Sequence, residues 1–86
     1  MTILEMNIYN TLQRLEAEKA EQNIEPTHTL LIRDRLRENV ESAISMPVSE
    51  LELRACLHNL AQEGKINIGQ VMNDIYIAIN YFNFFQ

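Results

Sequence analysis

The chain has one cysteine, two glycines, two prolines and no tryptophan. A lone cysteine, Cys56, excludes an internal disulfide and fits a reducing compartment. So few glycines and prolines leave no room for a flexible linker, and neither glycine sits in a phosphate-cradling loop. No apolar run approaches the roughly 18–20 residues needed to span a bilayer. The opening stretch MTILEMNIYN carries Glu5 and Asn7 among its apolar positions and lacks a basic leader, so it does not read as a signal peptide. Cations are the minority charge, with seven Lys and Arg against twelve Asp and Glu, net −5. That balance argues against nucleic-acid binding driven by bulk charge but leaves space for a local basic face. Paired carboxylates in an apolar setting and a nucleophile–base arrangement are also missing. The reading is therefore non-enzymatic, with no cofactor, no small-molecule substrate and a cytoplasmic location.

What is present is enough apolar residue, 47% of the chain, to fold 86 residues as a single domain with a thin core. The most informative stretch runs from Val48 to Ile79. Ser49 and Glu52 form an S-x-x-E capping box, with Val48 and Leu53 placed for a hydrophobic staple. Leu53, Leu57 and Leu60 then recur at helical spacing beside Cys56, which predicts a helix over 49–63. Gly64 supplies the stop. Beyond it the rhythm alternates at Ile66 and Ile68, then at Ile75, Ile77 and Ile79, which predicts a hairpin over 65–79 turning through GQVMND.

Upstream, Leu4, Ile8, Leu12 and Leu15 predict a long first helix over about 2–23, polar on nearly every side in its second half. Ile32, Leu36, Val40 and Ile44 predict a second helix over about 28–45, closed by Pro47. Leu30 and Leu31 fit equally well a short extended segment ahead of that helix. Tyr81, Phe82, Phe84 and Phe85 crowd the end of the chain, residues 81–86. Rings in that number need cover, from the first helix or from another subunit. Leu4, Ile8 and these four aromatics are the expected interface of a homodimer or of a complex with another protein.

Residues 49–79 resemble the second half of a winged helix-turn-helix domain. The likeness rests on Leu57-x-x-Leu60-x-x-x-Gly64-x-Ile66, then Gly69 and Asn73-Asp74-Ile75-Tyr76-Ile77. It implies a mainly α fold of three helices with a small C-terminal β-hairpin as the wing, whose tip is 69–74. It also implies double-stranded DNA as partner and a role in transcription regulation. Ser49–Glu63 would then be the recognition helix. Arg54, His58, Asn59 and Gln62 would face bases, and Arg33, Arg37 and Lys65 would sit on phosphates. Two other readings stay open. Arg33, Arg35 and Arg37 stand near Asp34, Glu38 and Glu41 and also fit an intrahelical salt-bridge surface, while Arg54, His58 and Gln62 fit a merely solvated face. The same scaffold also serves as a protein-docking module, which the net charge and a wing tip without Arg or Lys favour. Cys56 and His58 lie two apart on a helix and point different ways, so a metal site is not expected.

Overall fold

The computed structural model describes residues 1–81. Its elements run α1 (Ile3–Glu21), β1 (Thr29–Leu30), α2 (Leu36–Ile44), α3 (Glu50–Gln62), β2 (Ile66–Val71) and β3 (Asp74–Ile79). The three strands form one antiparallel sheet in the order β1–β3–β2. The described residues are thus a mixed α and β fold, with a third strand added to the expected hairpin.

Both long helices begin with reciprocal caps. At α3 the Ser49 hydroxyl accepts from the Glu52 amide at 3.1 Å, and the Glu52 carboxylate accepts from the Ser49 amide at 3.2 Å. Gly64 follows with φ 74° and ends the helix as the sequence predicts. Thr2 and Glu5 repeat the device at α1, a T-x-x-E pair legible in the sequence but not picked out there. The Thr2 amide, with the Asn59 side chain helping, holds the Glu5 carboxyl below its ordinary range.

The core lies where the inner faces of the three helices meet the sheet. Ile8, Leu12, Leu36, Leu60 and Ile77 are at most 1% exposed. Burying each such side chain is worth about 1.5–3 kcal/mol. Ile8 is therefore a core residue and cannot belong to an interface, which corrects its assignment; Leu4 packs half-buried against the same core.

The second helix is shorter than predicted, because the backbone leaves the helical path at Arg35. The amide of Leu30 donates to Asp34 at 2.7 Å, and that of Leu31 to the Ile75 carbonyl at 3.0 Å. Those of Ile32 and Arg33 donate to the two carboxylate oxygens of Asp74 at 2.8 and 3.0 Å. One helical step does form, Asp34 donating to the Leu30 carbonyl at 3.0 Å, but it does not continue: the Arg35 amide donates to the Ile32 carbonyl and that of Leu36 to the Leu31 carbonyl, both at 3.1 Å. Residues 31–35 form turns instead, Arg35 takes a left-handed φ of 52°, and α2 begins at Leu36. The helical stripe consequently fails at its first member: Ile32 is 60% exposed and Leu31 is the buried residue. The extended alternative at Leu30 is the one adopted, pairing with Tyr76.

Asp74 accepts from three amides, since Ile75 donates as well at 2.7 Å. Burial pushes its carboxyl upward, but the amides of Ile32, Arg33 and Ile75 and the Arg33 charge outweigh this, and its pKa falls below the ordinary 3.8. A carboxyl depressed by folding contributes stability above its unfolded value and loses that contribution as the pH falls through the folded one. Asp74→Ala should cost about 1–3 kcal/mol in urea unfolding at neutral pH. The variant should also lose less further stability than the native chain when the pH drops below the ordinary carboxyl value.

Candidate functional site: the groove between the third helix and the hairpin

The β2–β3 hairpin is longer than the helical layer that covers it. Its register is continuous from Ile66 opposite Ile79 to Val71 opposite Asp74. Ile66, Ile77 and Ile79, at the inner end, are buried beneath the helices. Ile68, Gln70 and Ile75 lie on the same face further out, where Arg54 borders them from α3. A groove of about 570 Å³ results, floored by Ile68, Gln70 and Ile75 and walled by Ile32, Arg54 and Met72.

The hairpin closes through Met72 and Asn73 alone, because Val71 and Asp74 are already paired. The tip is thus two residues long, not the six of 69–74, and Gly69 is a strand residue. Met72 takes a φ of 53°, a conformation that favours glycine or asparagine, and its side chain is 92% exposed. A flexible apolar side chain is thereby held at the outermost point of the ribbon at a cost of about 1–2 kcal/mol.

The side chains proposed to meet a nucleic acid do not converge. Arg54 lines the groove, but its guanidinium donates twice to Glu50, at 2.9 and 3.2 Å. Arg37 is turned toward Glu41 and the Val48 carbonyl, both at 3.5 Å. It lines a separate notch with Glu38 and Glu50. Arg33 leaves α2 altogether and borders a third cleft beside Lys19 and His28. Asn59 and Gln62 line a recess with Glu5 and Glu63 at the start of α1. His58 is exposed on α3, and Lys65 lies half-buried at the base of the hairpin. The intrahelical reading of the arginines holds for Arg37 with Glu41, and it extends to Arg54 with Glu50 and Arg14 with Glu18.

Other predicted sites resolve more simply. Burial raises the Cys56 thiol pKa, with the Glu5 and Glu52 charges adding to it, as befits a neutral packing residue. Tyr81 leans on the first helix, donating from its hydroxyl to Glu16 at 2.9 Å. Burial and that bond push its pKa up to about 12. Phe82, Phe84 and Phe85 lie outside the described residues. Among the described residues no cluster of His, Cys, Asp or Glu could hold a metal ion, and no helix is long and apolar enough to cross a membrane. No family model, curated protein or solved structure matches this chain.

The strain at the tip is directly measurable. Met72→Asn should raise the unfolding free energy by a few tenths to about 1 kcal/mol, read from the urea midpoint at unchanged slope. A neutral or destabilising result would show that Met72 makes contacts outweighing its backbone cost.

Proposed function

We propose that this chain is a non-enzymatic protein-docking module built on a winged-helix scaffold. The order helix, strand, helix, helix, hairpin, with the short first strand beside the last, is consistent with a winged-helix layout and supports that reading. In these terms α3 is the recognition helix and β2–β3 the wing. The docking reading is carried by what lies on the face those two elements share. Around the groove Ile32 is 60% exposed, Ile68 40% and Met72 92%. Apolar side chains gathered on one functional face mark a surface that another protein covers.

Charge on this face points the same way. Glu50 and Glu52 are exposed in the first turn of α3, against the single arginine Arg54. A helix of that balance meets phosphates unfavourably. DNA binding is the competing reading, and it draws on the exposed row of Arg54, His58 and Gln62. Surface ion pairs such as Arg54–Glu50 are worth little, so a phosphate could take the arginine over.

Two titrations separate the readings. A labelled mixed-sequence duplex at low ionic strength should show no binding. A solvatochromic apolar dye should light up with the native chain and fade with Ile32→Lys, whose melting temperature should be unchanged. Duplex binding that falls steeply with salt and is lost in Arg54→Ala would replace docking with DNA recognition.

A further inference from the structure

Among the described residues, nothing pairs with the outer edge of the sheet. In the order β1–β3–β2, the strand β2 has a neighbour on one side only. Asn80 donates its amide to the Lys65 carbonyl at 2.9 Å, which identifies Lys65–Asn80 as a hydrogen-bonded rung. Alternation along the continuous register makes Asn67–Ala78, Gly69–Tyr76 and Val71–Asp74 the further rungs. The amides and carbonyls of Ile68 and Gln70 therefore point outward, and both residues are exposed.

Edge strands are normally guarded by charge, proline, a bulge or extreme shortness. INIGQV has none of these: it is six residues long, uncharged, free of proline and continuous in register. At its centre stands Gly69. Its φ is not in the left-handed region, and an added Cβ would rest 3.6 Å from the Tyr76 ring, ordinary contact. Neither backbone nor packing within the monomer requires glycine there, although glycine weakens a strand. A glycine inside a regular strand marks close approach by another backbone.

We propose that β2 pairs antiparallel with β2 of a second copy, about a two-fold axis passing beside Gly69. This rests on the docking reading and names its partner. In that register Ile68 of each copy lies opposite Gln70 of the other. Four main-chain hydrogen bonds form, using just the outward groups. The two Gly69 residues face each other as a non-hydrogen-bonded pair, where Cα atoms come nearest, about 4.5 Å. Charge favours the same contact. Two copies each carrying net −5 repel across most of their surfaces, whereas β2 meets itself without a charge on either side. A six-stranded sheet results, in the order β1–β3–β2 and then β2–β3–β1 of the second copy, with the symmetry that an isologous dimer requires.

Sedimentation equilibrium of the full chain at high micromolar concentration should give a dimer, and amide exchange should be slow at Ile68 and Gln70. Gln70→Pro removes an outward amide that the monomer does not use, so it should fold and sediment at half the mass. Should that variant unfold, Ile68→Lys supplies the same test by placing cations within a few residues of each other across the axis. A native chain that stays monomeric overturns the proposal and leaves the edge to a foreign strand. A dimer with fast exchange at Ile68 and Gln70 overturns it too, by locating the contact elsewhere. In both cases the dye-binding face of the docking reading stands or falls separately.

Discussion

One carboxylate fixes the relation between the two halves of this molecule. Asp74 opens the returning strand of the hairpin and takes the amides of Ile32 and Arg33, some forty positions earlier in the chain. Those bonds seat the β1–α2 junction against the hairpin, with Ile32 turned outward. Without that clamp the ribbon beyond α3 would have only Leu31, bonded to the Ile75 carbonyl, and the two-residue β1 to hold its far end. The groove exists because the hairpin is held at this angle, so its wall at Ile32 and its floor at Ile75 are consequences of one side chain.

Asp74 is an instance of something general here. Glu5, Glu16, Asp34, Glu41 and Glu52 also accept main-chain amides, from Thr2, Ile79, Leu30, Val48 and Ser49. Half of the twelve acidic residues thus cap helices or bind main-chain amides of turns and strands. In a chain of this size, with two prolines and two glycines, turns need acceptors from somewhere, and carboxylates are strong ones. The acidic balance is therefore largely an architectural matter. Several cations follow it inward: Lys19 bridges Asp34 and the His28 carbonyl at 2.7 and 2.8 Å, fastening the polar end of α1 to the β1 region.

This explains what could be read in advance and what could not. Local signals carried α3, Gly64 and the hairpin, since a capping box, a left-handed stop and a change of period act within a few residues. The same grammar was available at Thr2 and Glu5. The start of α2 was illegible for a different reason. Ile32, Leu36, Val40 and Ile44 have flawless helical spacing, and what interrupts it is the left-handed Arg35 in a turn that Asp74, distant in sequence, ties to the hairpin. The candidate site suffered more, because spacing tells which side chains share a helix face but not which partners they hold. Arg33 and Arg37 stand four apart and open toward different clefts. Arg54, His58 and Gln62 do share an outward face, yet Leu51 and Ala55 lie exposed between them, and a count of polar residues passes over both.

The apolar side chains on that face are most economically understood together with the backbone that presents them. Had Met72 been tolerated only as an indifferent turn residue, its left-handed φ would be a standing cost of about 1–2 kcal/mol with nothing gained. Had Ile68 been a core residue misplaced at the margin, the helical layer would extend to cover it. Instead Ile68 stays 40% exposed on the floor of the groove, and an uncharged strand edge runs beside it. Each feature alone is ordinary in a small fold. Their coincidence on one side is not required by the core, which is already closed by Ile66, Ile77 and Ile79. An extended segment laid along β2 would satisfy the free main-chain groups and place its alternate side chains toward the groove, which neither a phosphate backbone nor a small solute does. The geometry of the hairpin, which Asp74 ties to the β1–α2 junction, is thus what brings the open strand edge and the groove side by side.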